Sequence, residues 1–238
     1  FALLRRSLGF WPTVAFGLVG ALSPDIWFYA ASGMDTLLWT VAAWAWLLWF
    51  ARAERVEIAH LAAAGALLAV RPEAMLLLAL FAFRAALEVR ANVVSVRSAV
   101  RIALLGGMVP CALLAARYYF FGQIVANSVA AKHLGGSAWL RALGGLVYVA
   151  EVGQMYLLPL AVVLAMALAA GLGPWNWRQV LSTEESRRVA TLGGFAILTL
   201  AMIVAAGGDD TSAFPFARLL VPILGPLAFC LAIALQTV

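Results

Sequence analysis

The side chains here that could do chemistry are few, and most fall in five short polar stretches. These are Ser23-Pro24-Asp25, Ser32-Gly33-Met34-Asp35-Thr36, Arg71-Pro72-Glu73, the segment from Tyr118 to Glu151, and Gly207-Gly208-Asp209-Asp210. Arg71, Lys132 and Arg218 are cations able to hold an anionic group, Arg through a planar, always-charged fork and Lys as a point charge. Glu73, Asp209 and Asp35 are carboxylates able to take a proton or to orient a hydroxyl or a metal ion.

Each has a plainer role beside the chemical one. Asp35 precedes an apolar run and serves equally as a helix N-cap. Glu73 lies in the first turn after Pro72, where a carboxylate favours the helix dipole, and Arg71 can simply pair with it. Asp209-Asp210 after two glycines reads as a loop and cap as well as a metal site, and a divalent ion there needs further oxygen ligands. Asp25 after Ser-Pro is a turn former, and Lys132 and Arg218 also suit interfacial anchoring. His60 and His133 read as packing or surface residues. Cys111 and Cys230, inside apolar runs and outside any metal-ligand spacing, read as small core residues.

The elements that must position these groups follow from composition. Hydrophobic residues make up 65% of 238 and charged ones 11%, against about 25% charged in a soluble domain. Such a chain cannot cover a water-facing surface. It reads as an all-α, polytopic membrane protein: one transmembrane domain over residues 1–238, with about eight membrane-embedded helices. A bilayer core needs roughly 20 apolar residues per crossing. The runs are 8–22, 36–51, 58–71, 73–89, 100–118, 151–172, 189–206 and 217–237. The third and fourth are short and meet at Arg71-Pro72-Glu73, where Pro72 ends one helix or opens the next. Residues 138–150 form a helix lying along the interface or continuing into the next span; Trp139, Arg141 and Tyr148 suit the headgroup zone.

With the N-terminus in the cytoplasm, eleven of the sixteen basic residues fall on that side, Arg52, Arg55, Arg84, Arg90, Arg97 and Arg101 among them. Arg71, Arg117, Lys132, Arg141 and Arg218 fall outside. The excess is the one expected of cytoplasmic loops, and the net charge of +5 therefore points to membrane anchoring and not to nucleic acid. The cytoplasmic connections, such as Arg52-Ala53-Glu54-Arg55, read as solvated turns. The tryptophans read as an aromatic belt and helix packing. The glycine pairs Gly106-Gly107 and Gly144-Gly145 read as sites of close helix approach. No charged residue falls near the middle of a predicted span, so the reactive groups belong at the outer surface, where a lipid headgroup sits.

Four of the stretches carry a resemblance to the bacterial branch of the GT-C glycosyltransferases, membrane enzymes of the mannosyl- and arabinofuranosyltransferase type that use polyprenyl-phosphate sugars. Ser32-Gly33-Met34-Asp35-Thr36 resembles a Ser-Gly-Met/Leu-Glu-Thr element, and Arg71-Pro72-Glu73 an Arg-Pro-Glu/Asp turn. Tyr118-Tyr119-Phe120-Phe121-Gly122 with Asn127 and Lys132 resembles a Tyr-Tyr-Phe-Gly…Pro-Asn-Ser/Thr…Lys loop, with Ala126 in place of the Pro. Gly207-Gly208-Asp209 with Arg218 and Pro222 resembles Gly-Gly-Asp…Arg…Pro. The resemblance implies a transferase in the bacterial plasma membrane with its active face outside. Its donor is a polyprenyl-phosphate sugar and its acceptor a glycan, lipid or protein.

It further implies that Arg71, Lys132, Arg218, Asn127 and Tyr119 bind the substrate and its phosphate, and that Glu73, Asp209 and Asp35 are supporting carboxylates. Asp209 and Asp210 are the place for a divalent metal ion, if one is used. The family carries its principal base on a first outer loop. A chain beginning at Phe1 then reads as a fragment lacking the first membrane helix and that loop. Two other classes fit the composition: a multi-pass transporter or lipid flippase, which charged groups along an internal water path would favour, and a non-catalytic membrane subunit, which an outer face with no cavity would favour.

Overall fold

A computed structural model describes residues 35–124, 137–151, 184–207 and 222–226, with the backbone alone of Asp35 and of residues 184–189. Among the described residues the regular structure is helical throughout, without strands, as an all-α chain requires. Backbone contacts separate two compact units, Leu38–Gly136 and Phe1–Leu37 with Ser137–Val238. Candidates Asn127, Lys132, Asp209, Asp210 and Arg218, together with Asp25, His133 and Cys230, lie outside the described residues, as do the run 8–22 and all but the first residue of the run 151–172.

Five expected runs appear as helices. Helix α1 is Asp35–Arg52, and α2 is Ile58–Ala66, extended by a 3-10 turn at Leu67–Ala69. A second 3-10 turn, Pro72–Ala74, leads into α3, Met75–Arg90; α4 is Val96–Phe121. Residues 138–151 form α5, and α6 is Glu184–Ala206. Residues 222–226 are helical as well.

Helix ends follow local chemistry. Ser95 caps α4 by accepting the Ser98 N–H on its Oγ at 3.2 Å, so the helix begins four residues before the apolar run and carries Arg97 and Arg101 on its exposed early turns. Helix α3 ends in a Schellman arrangement around Asn92, at φ 57, with Val93 N–H donating to Glu88 O at 2.9 Å and Asn92 N–H to Val89 O at 3.0 Å. Asn tolerates that left-handed backbone better than most residues.

In the Leu38–Gly136 unit, α2 and α4 cross closely because small residues line the crossing. A Cβ placed on Gly65 would collide with Pro110 Cδ, and one on Gly106 would come within 2.9 Å of Leu61 Cβ. Ile58 and Leu61 thus meet α4 at Gly106, and Gly65 meets it at Pro110, so the two helices run in the same direction. Helix α3 returns against α2, since Glu88 reaches back to Val56. The unit therefore has two ends. One gathers Arg52, Arg55, Arg84, Arg90, Arg97 and Arg101; the other holds Arg71 and Arg117, the division expected from the alternation of basic residues.

Along α4 the large apolar side chains point outward and the residues facing α2 are small or compact. On α4, Gly106 and Pro110 are buried while Val96, Val100, Leu104, Leu105 and Met108 are exposed. On α1, Trp39, Ala43, Trp46, Leu47 and Phe50 form one buried face at helical spacing, yet Leu38, Val41 and Trp49 on the other sides are exposed and apolar too. Cys111 is exposed on α4 and so is not the core residue that its apolar setting suggests. Among the described residues α4 is the one helix long and apolar enough to cross a membrane; Ile58–Ala69 and Ala190–Ala206 are shorter apolar helices.

In the other unit α5 lies on the C-terminal part of α6. A Cβ on Gly145 would sit 2.5 Å from the Val204 Cα, backbone against backbone, and one on Gly144 would touch Gly207 O at 3.3 Å. This glycine pair serves close helix packing, as expected.

Candidate functional site

Arg71-Pro72-Glu73 forms the turn between α2 and α3. Pro72 takes the first helical position, where a missing N–H costs nothing, and it forces Arg71 out of helical geometry to φ −150, ψ 144. The Arg71 backbone remains tied down: its N–H donates to Leu67 O at 3.0 Å, and its carbonyl accepts from Ala74 N–H at 3.1 Å. Because Arg71 is extended while Glu73 is helical, two side chains only two positions apart can meet. Arg71 Nη2 lies 3.3 Å from Glu73 Oε1, with the side chains 12% and 17% exposed.

Half of that carboxylate is left over. Glu73 Oε2 is shielded from solvent and has no hydrogen-bond partner among the described residues. A shielded acceptor of this kind costs about 1–3 kcal/mol while it stays unpaired. The turn therefore sets a sheltered guanidinium, engaged by more than Glu73 alone, beside an unpaired accepting oxygen. It can hold an anion on Arg71 and accept a hydroxyl proton or hydrogen bond on Glu73.

Sequence reasoning did not anticipate the second polar cluster, at the other end of the unit. Arg84, expected only as one of the basic residues on the cytoplasmic side, is sheltered. Its Nε donates to Glu88 Oε1 at 2.8 Å, and its two terminal nitrogens donate to Phe50 O in the last turn of α1 and to Ala53 O just past its end. Glu88 Oε2 accepts the Val56 N–H at 2.8 Å. The guanidinium also stacks over the Phe50 ring, 4.7 Å from its centroid. A cation on a helix C-terminus is electrostatically favourable, and the pair joins α1, the turn before α2 and α3 in one clamp. Glu54 and Arg55 stay solvated, but the backbone of that turn is tied inward, which corrects the expectation of a wholly solvated connection. The local signal was the four-residue spacing of Arg84 and Glu88 on an otherwise apolar helix.

His60 completes the clamp and is a packing residue, as expected. It is 2% exposed, and its ring lies 4.3 Å from Trp49 and 5.3 Å from Phe50, centroid to centroid. Its Nδ1 accepts the Glu57 N–H at 3.2 Å, and its carbonyl accepts from Trp46 Nε1 at 2.9 Å.

The remaining candidates are not brought to the Arg71 turn by any described contact. Asp35 is the first residue of α1. Tyr119, near the C-terminus of α4, is 83% exposed and meets the edge of Phe120 at 5.2 Å. Among the described residues no three His, Cys, Asp or Glu stand together to hold a metal ion, and the Asp209–Asp210 pair lies outside them. No family model, curated protein or solved structure matches the chain.

Proposed function

We propose that this chain is a multi-pass protein of the bacterial plasma membrane and a GT-C-like glycosyltransferase. It moves a sugar from a polyprenyl-phosphate donor to an extracytoplasmic glycan, lipid or protein acceptor. Embedding in lipid is supported by the outward-facing large apolar side chains of α1, α3 and α4. In water they would form a patch far larger than a soluble monomer tolerates, whereas in lipid, small residues at helix contacts and large ones outside are the ordinary arrangement.

The transferase reading rests above all on the Arg71–Glu73 turn: a sheltered ion pair with one accepting oxygen unpaired, at the end opposite the exposed arginines. In the reaction the bond from the sugar's anomeric carbon to the phosphate oxygen breaks, and its electron pair stays on the phosphate. The acceptor oxygen bonds to that carbon and gives its proton to a base. Arg71 neutralises the charge growing on the phosphate, and Glu73 Oε2 orients a sugar or acceptor hydroxyl. Lys132 and Arg218 are further phosphate contacts, with Asn127 and Tyr119 on the substrate, and Asp209 and Asp35 are supporting carboxylates. An ion at Asp209 and Asp210 would add charge neutralisation; no step is assigned to it.

The test is sugar transfer by the full-length protein in proteoliposomes, supplied with radiolabelled polyprenyl-phosphate mannose or arabinofuranose. Arg71→Gln and Glu73→Gln are each expected to lower the rate at least about tenfold, roughly 1.4 kcal/mol of transition-state stabilisation, while the protein stays folded. Full activity in both variants would overturn the proposal.

A further inference from the structure

Arg117, one turn before the C-terminus of α4, stands out once the α2–α4 crossing is known. Gly106 and Pro110 of α4 face α2, and Arg117 follows Pro110 by seven residues, two turns of helix to within about 20°. It therefore projects from the stripe that packs on α2 and not from the lipid-facing side where Leu104 and Met108 lie. The 3-10 turn Leu67–Ala69 also packs against α4. From Gly65 to Arg71 and from Pro110 to Arg117 the two parallel chains each rise about 10 Å, which puts both guanidinium groups at one end of the unit and at one level.

The surroundings of Arg117 point to an anion. Its Nε is shielded from solvent, and among the described residues it has no hydrogen-bond or ion-pair partner. Its contact there is with the Phe121 ring, 5.9 Å from the guanidinium carbon. A lipid-facing arginine would snorkel its head into water; this one keeps a donor shielded while its guanidinium lies against Phe121 of its own helix. A sheltered donor without a partner is costly, and a bound anion removes the cost. Around it Tyr118, Phe120 and Phe121 are exposed aromatics of the kind that settle at headgroup depth.

We infer that Arg117 and Arg71 together form a two-guanidinium site for a phosphate group, with Glu73 accepting a hydrogen bond from what the phosphate carries. The inference rests on the proposed function and adds to it a residue for which that reading has no role. Two guanidinium forks can grip one phosphate from two sides, a geometry that a single ion pair lacks.

The test measures heat stabilisation of the full chain in detergent by farnesyl phosphate, with inorganic phosphate and farnesol alongside. Farnesyl phosphate is expected to stabilise the native chain, and Arg117→Gln and Arg71→Gln are each expected to weaken its affinity about tenfold, 1.4 kcal/mol. Farnesol is expected to have no effect. Equal binding of inorganic phosphate, with the same losses, would support the site and identify its ligand as free phosphate. Loss in Arg71→Gln with native affinity in Arg117→Gln would overturn the inference and leave the proposed function standing. Failure of the native chain to bind either phosphate would overturn both. If Arg117→Gln does not fold, Arg117→Lys decides: weakened binding supports the two-fork site and unchanged binding rejects it.

Discussion

Two arginine–glutamate pairs sit at opposite ends of one helical unit and are almost equally sheltered, yet they are used in opposite ways. Arg84 and Glu88, each 11% exposed, spend their hydrogen bonds on the protein itself: on each other, on the Phe50 and Ala53 carbonyls and on the Val56 amide. Arg71 and Glu73 bond to each other and leave Glu73 Oε2 shielded and unpaired, and the nearby Arg117 Nε is left in the same condition. Burial alone would not separate a structural pair from a reactive one. Within the two pairs the second carboxylate oxygen does: Glu88 Oε2 is taken by the Val56 amide and Glu73 Oε2 is not, although His60 Nε2 beside the first pair is shielded and unpaired as well. On that reasoning the first end is a clamp, and the second is the place where a ligand completes the structure.

The comparison can be broken by substitutions that damage one end only. The largest effect is expected at the clamp. Arg84→Ala strands the Glu88 carboxylate and uncaps α1, and it should cost about 3–5 kcal/mol in detergent unfolding; a loss below about 1 kcal/mol would mean that the clamp holds nothing. Next comes Gly65→Ala, which pushes a methyl into the Pro110 ring and so parts α2 from α4. It should cost about 1–3 kcal/mol, and because that crossing sets the level of Arg117 against Arg71, it should also weaken phosphate binding. Ser95→Ala removes the α4 cap at the clamp end and should cost about 1 kcal/mol in the same assay, with phosphate binding unchanged. The smallest effect is expected at Gly107, where an added Cβ meets nothing within 4 Å. Gly107→Ala should leave the fold intact and stabilise α4 by up to about 1 kcal/mol.

Helix positions were largely legible because the apolar runs are long and bounded by charge. The run 36–51 became Asp35–Arg52, and 189–206 became Glu184–Ala206. Boundaries failed where a helix carries charge inside its ends: α4 starts at Val96 because Ser95 caps it, and the expected start at residue 100 excluded Arg97. The Arg71–Glu73 pair was legible from Pro72, a purely local constraint. The roles of Arg84 and Arg117 were not. One depends on where α1 ends in space, and the other on which face of α4 meets Gly65, and neither contact leaves a mark in the neighbouring sequence. The expected meeting of Arg71 and Glu73 with Lys132, Asp209 and Arg218 concerns three residues outside the described part of the chain.

On the proposed function the two ends of this unit face opposite sides of a membrane, with the Arg71 end outside. Cysteine labelling in intact cells tests it directly, in a chain carrying Cys111→Ala and Cys230→Ala with either Tyr119→Cys or Glu54→Cys. Both target positions are exposed. A membrane-impermeant maleimide should label the position-119 variant in intact cells and the position-54 variant only after permeabilisation. Labelling of both from outside, or of position 54 alone, would contradict the account.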